Sequence, residues 1–404
     1  MIRSIGIVFF TTLFGIQVFG QLESDQYLKA YYTFDNCDGT DDSGNNSTGT
    51  LTGTECRCGV DGQSLFFDGQ DDRILFNGNV NEYFRANNFT ISFYFRPVSS
   101  SPNTVLLSKV ANCSDQTGIM VRYGNGGVAV QLTGVEGEQN SINARLNRRT
   151  CWTHLVIVRS GTVLRVYENG ELIAQDDNGL RNVNIENSTP LTLGMGGCSS
   201  SLDEPFRGYI DELRVYNHPL NPLQIERLRI PVDELISKDT VIAMGDVFMP
   251  QVAHTCASQV NWLPSSAVSL PGDIETLVDV DETTTLEIEF DYSDCSVIDS
   301  MEVRVVNSDE IDCGNIPMPR AFTPNQDGLN DQYFITVPAS VDHLISFEIY
   351  DKWNNRVFYT EDPQGAWDGT FQGEVMNPGV FLYKIRFECS GNVEVNTGEV
   401  LLLN

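Results

Sequence analysis

His154-Leu-Val-Ile-Val-Arg159, Ser160-Gly161, Thr162-Val-Leu-Arg-Val-Tyr167, Glu168-Asn-Gly-Glu171 and Leu172-Ile-Ala174 follow one another without a break. Each apolar run is short and rich in β-branched residues, and each is closed by a turn former, which reads as strand, turn, strand, turn, strand. Asn169-Gly170 is the strongest short hairpin signal, because both residues accept the positive φ that a type I′ turn demands. Upstream, Ile119-Met-Val-Arg-Tyr123 and Val128-Ala-Val-Gln-Leu132 flank Gly124-Asn-Gly-Gly127 as a second hairpin. Thr90-Ile-Ser-Phe-Tyr-Phe-Arg96 alternates as a strand with one face buried and the other solvated. Residues 27–217 are almost wholly strand and turn, so a two-sheet jelly roll of about 190 residues is predicted, long enough for a sizeable core. One short helix is predicted at Asn221-Pro-Leu-Gln-Ile-Glu-Arg-Leu228, with Asn221 as its cap and Pro222 at its first position.

Strand patterns lapse around 218–240 and again around 312–320, which divides the rest of the chain. Residues 232–315 carry strands at Thr285-Leu-Glu-Ile-Glu-Phe290 and Met301-Glu-Val-Arg-Val-Val306, with Cys256, Trp262 and Cys295 in the order an immunoglobulin-like sandwich uses. Tyr292 stands three residues before Cys295, where a tyrosine corner would need two. Beyond residue 316, Tyr333-Phe-Ile-Thr-Val337, Ile345-Ser-Phe-Glu-Ile-Tyr350, Arg356-Val-Phe-Tyr359 and Val380-Phe-Leu-Tyr-Lys-Ile-Arg-Phe387 predict a small β-sandwich. The fold class is all-β.

At the N-terminus, Met1-Ile-Arg3 is a short basic start and Ile5 to Phe19 an apolar run. Val18-Phe-Gly20 offers small residues for cleavage, so residues 1–20 are expected to be a signal peptide and the mature chain to begin at Gln21. The run is too short and wrongly flanked for a membrane span, so no transmembrane segment is expected. Ten cysteines suit an exported, disulfide-bonded chain; Cys56-Arg-Cys58 is too close for the usual zinc pair, and the four histidines are scattered. A net charge of −30 argues against nucleic acid and against anionic membrane surfaces. The acid is densest at 232–315, where 18 Asp and Glu stand against Lys238 and Arg304.

Two resemblances add to this reading. Phe322-Thr-Pro-Asn-Gln-Asp-Gly-Leu-Asn-Asp331, Ile349-Tyr-Asp-Lys-Trp-Asn-Asn-Arg-Val357, Trp367-Asp-Gly369, Pro378-Gly-Val-Phe-Leu-Tyr383 and Gly398-Glu-Val-Leu-Leu-Leu403 resemble the gliding-motility-associated C-terminal domain, the type B sorting domain of the type IX secretion system of Bacteroidota. Gln326, where a Gly is usual, and Asp351 and Asn354 in the following turn depart from its pattern. The resemblance implies export by the type IX machinery to the cell surface or the medium.

Ala30-Tyr-Tyr-Thr-Phe-Asp35, Asp42-Ser-Gly-Asn45, Leu65-Phe-Phe-Asp-Gly69, Phe89-Thr-Ile-Ser-Phe-Tyr-Phe95, Cys151-Trp-Thr-His-Leu155, Val166-Tyr-Glu-Asn-Gly170 and Phe206-Arg-Gly-Tyr-Ile-Asp-Glu-Leu-Arg-Val-Tyr216 are similar to the laminin-G-like, concanavalin A-type jelly roll. That family includes carbohydrate-binding, adhesive and purely structural members, and many bind one calcium. The acids in the matching motifs are Asp35, Asp42, Asp68 and Asp211, with Glu212 as neighbour; they are the calcium candidates. Equally, Asp35 and Asp42 read as turn formers and Asp211 as the partner of a strand neighbour such as Arg214. A glycan site would set exposed aromatics beside Asn, Asp and Arg, and Tyr123, Tyr167 and Tyr209 are its candidates, although such rings are common in sheet cores.

Concanavalin-like glycosidases place two Glu on one strand in a Glu-x-Asp-x-x-Glu pattern. The chain lacks that run, and Ile210-Asp-Glu212 is expected to put its acids on opposite faces. No catalytic residues are predicted, and the chain is expected not to be an enzyme.

The organisation expected is a signal peptide at 1–20, a laminin-G-like jelly roll at 27–230, an Ig-like or PKD-like spacer at 232–315 and a sorting domain at 316–404. Cys256 is paired with Cys295 and Cys313 with Cys389, leaving the connectivity of the other six cysteines open. The function expected is non-enzymatic binding of glycans or glycoproteins. A structural surface or matrix part without a specific ligand is the alternative, followed by a polysaccharide-degrading enzyme or its accessory.

Overall fold

The computed structural model describes residues 25–85, 88–98, 101, 103–110, 117–147, 150–177, 183–196, 203–306, 316, 318–324, 330–336, 343–389 and 392–403. The expected signal peptide at 1–20 lies outside them. The chain divides into two compact units, Met1–Ile230 and Pro231–Asn404.

In the first unit the strands run β1 (Leu28–Tyr32), β2 (Gly49–Thr52), β3 (Glu55–Cys58), β4 (Gln63–Asp68), β5 (Arg73–Phe76) and β6 (Asn88–Pro97). Then come β7 (Thr104–Val110), β8 (Gly118–Gly124), β9 (Gly127–Thr133), β10 (Gln139–Arg145) and β11 (Thr153–Ser160). The set closes with β12 (Val163–Glu168), β13 (Glu171–Asp177), β14 (Leu191–Leu193), β15 (Glu204–Pro205) and β16 (Arg207–Tyr216). One sheet is ordered β13-β12-β11-β6-β16-β4-β3, with β1 also on β16; the other is ordered β10-β9-β8-β7-β14-β5-β2, with β15 on β7. The meander at 154–174 and the hairpin at 119–132 form as predicted, the first in one sheet and the second in the other.

Alternation explains the closure. Phe89, Ile91, Phe93 and Phe95 of β6 face inward with Leu155, Ile157, Ile210, Leu213 and Val215, and meet Ile119, Val121, Val130 and Leu132 of the opposite sheet. Burying each such side chain contributes about 1.5–3 kcal/mol. The outer face of the first sheet is also covered. Val156, Val158, Tyr167 and Tyr216 pack there under Leu220, Ile225 and Leu228. Those last residues belong to the segment around helix α1 (Pro222–Glu226), which Asn221 opens with a reciprocal capping box to Gln224.

The second unit holds two separate main sheets. β17 (Thr240–Ala243), β18 (Val247–Phe248), β19 (Gln259–Leu263), β20 (Val278–Asp279), β21 (Thr284–Asp291) and β22 (Ser296–Val306) form a four-stranded sheet, β17-β22-β21-β19, and a two-stranded ribbon, β18-β20. Trp262 is buried and its indole N–H donates to the Asp273 carbonyl at 2.8 Å. The Tyr292 hydroxyl donates to Asp233, at 2.8 and 2.9 Å to its two oxygens.

Farther on, β23 (Ala321–Phe322), β24 (His343–Tyr350), β25 (Arg356–Thr360), β26 (Thr370–Phe371), β27 (Glu374–Val375), β28 (Gly379–Cys389) and β29 (Asn392–Leu402) follow. Five of them form a sheet in the order β23-β29-β28-β24-β25. Of the strand predicted at 333–337, residues 333–336 are described and form no ladder; Val337 lies outside the described residues. Tyr333 makes a single bridge to Trp367, and Tyr333 and Ile335 are buried in the core. Alternation was the correct signal there for burial, but among the described residues no strand runs alongside to extend the ladder.

Polar groups on the outer face of the first sheet are deeply buried. His154 is fully enclosed, its Nε2 2.7 Å from the Ser92 hydroxyl and its ring stacked 4.5 Å from that of Tyr94. Burial, helped by the charges of Arg214 and Arg229, holds its pKa down at about 3. In the unfolded chain the same imidazole takes up a proton near pH 6.5. Stability that is complete above pH 6.5 is therefore lost as pH falls from there toward 3, by on the order of 4 kcal/mol at the low end. The melting temperature should fall through that window, and His154→Gln should flatten the slope; an unchanged slope in the variant would exclude His154 as its source.

Candidate functional site

Two places in the jelly roll gather chemistry-bearing side chains. The first is at β16, where the sequence places Asp211 and Glu212 side by side. Regular alternation would send them to opposite faces, yet both are buried. A bulge between Asp211 and Arg214 breaks the register, and Glu212 takes a φ of +55°. The expected Asp211–Arg214 pairing is not the one found: Arg214 pairs with Glu212, whose carboxylate also accepts from the Tyr31 hydroxyl at 2.7 Å.

The Asp211 carboxylate accepts the Val60 amide at 2.7 Å and the Glu212 amide at 2.9 Å. Burial first, then the charges of Glu212 and Asp35, push its pKa well above the usual carboxylate range. Asp35 reaches the same turn from β1's end, accepting the Gln63 amide at 2.9 Å. The turn between is closed by glycine for steric reasons. A Cβ on Gly59 would lie 2.3 Å from Asp211 Oδ2, and one on Gly62 would lie 2.0 Å from Asp35 Oδ1.

The other two calcium candidates stand apart from this turn's hydrogen bonds. Asp42 accepts from the Thr33 hydroxyl at 2.9 Å, acting as a loop tie. Asp68 accepts both Gln70 amides at 2.7 Å and gathers with Asp71 and Asp72. Among the described residues, no group of three ligand atoms within 4.8 Å of one another contains Asp35, Asp42 or Asp211. Periodicity and motif matching found the acids but could not show that loops carry them to different places.

The second place is a cleft of about 390 Å³ at the β8–β9 hairpin and the neighbouring end of β10. Its polar lining is Asn103, Arg122, Tyr123, Asn125, Asn143 and Arg145. Asn125 and Gly126 form the hairpin tip, with φ of +52° and +73°. Gly127 lets β10 close in, because a Cβ there would lie 2.5 Å from the Ala144 carbonyl. Arg122 is held by two bonds to Asp203, at 2.7 and 3.1 Å, and leans on Gln131. Tyr123 packs edge-on against Phe95 at 5.5 Å and is part of the cleft.

Of the three aromatic candidates, Tyr123 alone lines this cleft. Tyr167 is buried beneath the segment around α1, so it is a packing residue and the expectation of a glycan contact there is corrected. Tyr209 sits under the Arg96 guanidinium at 4.1 Å, between Phe66 and Trp152. Asn103, Asn143 and Arg145 were not singled out from sequence; only their convergence with Tyr123 marks them.

One disulfide, Cys37–Cys56, ties the loop after β1 to β3, with 5.3 Å between Cα atoms. A closed loop of that length stabilises by about 3 kcal/mol in the chain-entropy account. Cys58, Cys151, Cys256 and Cys295 are also in disulfides. Cys313 and the side chain of Cys389 lie outside the described residues.

The two packed sheets, with a polar cleft at one hairpin edge, define a jelly-roll module. Residues 68–226 match the family model of the concanavalin A-like lectin/glucanases superfamily, and residues 316–402 match that of the CHU_C type IX secretion signal domain. The chain therefore joins a concanavalin A-like jelly roll to a type IX sorting domain, and it is secreted or attached at the cell surface. No helix among the described residues is long and apolar enough to cross a membrane.

No curated protein matches the chain. Among solved structures it is similar to domain 4 of an extracellular GH43 arabinanase from Geobacillus stearothermophilus in complex with arabinotriose, at 24% identity and a TM-score of 0.41, covering 50% of this chain and 97% of that one. It is also similar to the receptor binding domain of botulinum neurotoxin C/D mosaic serotype, at 14% identity and a TM-score of 0.43, covering 68% and 73%. The binding domain of Paraclostridial Mosquitocidal Protein 1 gives 14% identity and 0.43, covering 92% and 89%. At this level of likeness no ligand passes from those proteins to this chain.

Gly59→Ala should lower the jelly roll's melting temperature by several degrees, about 1–3 kcal/mol, because the methyl group meets Asp211 and the Gln63 backbone. An unchanged transition would show that the turn yields at no cost.

Proposed function

We propose that this is a non-enzymatic glycan- or glycoprotein-binding protein of the cell surface or the medium, and that the cleft at Tyr123, Asn125, Asn143 and Arg145 is its binding site. The observation that carries this reading is the lining itself: amides and guanidiniums beside one aromatic ring, at a hairpin edge. Sugars present rings of hydroxyls over a weakly apolar face, and planar amide and guanidinium donors with a tyrosine ring match that pattern. The lining side chains include two guanidiniums and no carboxyl group. Glycoside hydrolysis in its usual form needs two carboxyls about 5–10 Å apart, so the cleft favours holding a sugar over cleaving it.

Binding should appear on a glycan array probed with the purified, secreted chain, and Asn143→Ala and Arg145→Ala should each weaken it about tenfold, the loss of one good polar contact. A blank array, with and without calcium, would sink the lectin reading in favour of a structural surface component.

A structural calcium is proposed at the turn where Asp35 and Asp211 meet. Support comes from two carboxylates bonded to the same turn, Asp211 through the Val60 amide and Asp35 through the Gln63 amide, with Asp211 buried beside the acids Glu212 and Asp35. Adding calcium should raise the jelly roll's melting temperature, chelator should lower it again, and Asp211→Asn should abolish the difference. Identical melting curves in calcium and in chelator would count against the ion.

A further inference from the structure

The chain carries 55 Asp and Glu against 25 Lys and Arg. Yet residues 116–135, which hold β8 and β9, contain no Asp or Glu. Neither do residues 139–167, which begin with β10 and hold five arginines. These strands lie side by side in the order β10-β9-β8. Across them the repulsion of anions that the whole chain exerts is locally relieved.

Register builds the cleft on these strands. Arg122 of β8, Ala129 of β9 and Asn143 of β10 stand opposite one another, and two residues along Gly124, Gly127 and Arg145 do the same. Residues two apart on a strand share a face, so both rows lie on one face of the sheet. Gly124, Gly127 and Ala129 give that face a low floor between Arg122 on one side and Asn143 and Arg145 on the other. Strands two places apart are about 10 Å apart, which leaves room for one sugar ring.

The two arginines differ in what they have left to give. Arg122 donates to both oxygens of Asp203, at 2.7 and 3.1 Å, so its charge is already met. Arg145 is exposed and has no carboxylate partner among the described residues. Nor does a carboxyl group line the cleft among those residues. A free guanidinium presents a planar fork of N–H donors that matches two oxygens of a carboxylate or a sulfate. The hydroxyls of a neutral sugar would leave its charge unmatched.

We propose that the cleft selects anionic glycans: a sugar bearing a carboxylate or a sulfate, with that group on the Arg145 guanidinium and ring hydroxyls on Asn143 and Arg122. This selection rests on the cleft being the binding site proposed above, and adds to it the class of sugar.

Matched probes separate charge from sugar. Oligogalacturonate is set against its methyl ester, and dextran sulfate against dextran, each titrated calorimetrically into the purified, secreted chain. Within a pair the anionic member should bind about tenfold tighter or more, as a charge-assisted contact exceeds a neutral one. Arg145→Gln should bring the anionic member down to its neutral mate, with the native melting transition kept, since the side chain is exposed on an edge strand. Arg165→Gln makes the same change on β12 of the other sheet and should alter nothing. If Arg145→Gln did not fold, Arg145→Lys would decide, because it keeps the charge, loses the fork and should weaken the anionic members alone, several-fold.

Preference in the galacturonate pair alone assigns a carboxylate, preference in the dextran pair alone assigns a sulfate, and either bears the selection out. Equal binding within both pairs, weakened throughout by Asn143→Ala, overturns it and leaves a neutral-glycan cleft standing. A preference that survives Arg145→Gln and is lost in Arg165→Gln places the anion elsewhere and also overturns it. Binding of none of the four probes overturns it as well; neutral hits on the glycan array would then keep the cleft, and a blank array would remove the site too.

Discussion

The jelly roll depends on the last of its strands. Arg207–Tyr216 runs beside β6 on one side and beside both β1 and β4 on the other, so it joins the start of the module to its middle. Removing it would leave three strands without their central ladder. A bulge in this strand brings Glu212 to Arg214 of the same strand and Tyr31 of the first strand, and both bond to it. Breaking one member of such a buried group is costly, about 3–5 kcal/mol, since it leaves an uncompensated charge in an apolar setting. The ion pair is better understood as a register lock than as a source of net stability, because the same volume filled with apolar groups would do as well or better energetically.

That lock also sets what the surrounding loops can do. With Asp211 held on the Val60 and Glu212 amides, the turn at 59–62 passes close by two carboxylates, and glycine stands at both close approaches. The Cys37–Cys56 disulfide ties the loop leading into the same region. At the other sheet the constraint is milder. The cleft at the β8–β9 tip is shaped by a two-residue turn and by a glycine contact with β10, with Arg122 braced by Asp203.

Much of the architecture was legible in the residues. The strands at 154–174, 119–132, 90–96, 285–290, 301–306 and 380–387 are where alternation and turn chemistry put them, and the helix cap at Asn221 follows the rule for its neighbours. The run at 333–336 was not, because alternation reports burial of every second side chain and is silent about whether a partner strand lies alongside. Tyr167 was misread for a related reason. An aromatic on an outward strand position looks exposed until a later segment, here 220–228, folds over it.

What the sequence determined by itself was the class of structure, the order of its parts and its destination. Strand period, turn residues and the run ending at Asp331 are local properties, written within a few residues of one another. The tertiary structure alone decided which acids share a turn and which tyrosine lines a cleft. These depend on residues far apart in the chain coming together, as Tyr31 does with Glu212 and as Asn103 and Arg145 do around one cleft. A single bulge at Glu212 was enough to overturn the expected facing of two acids, because one inserted residue shifts every side chain after it to the other face.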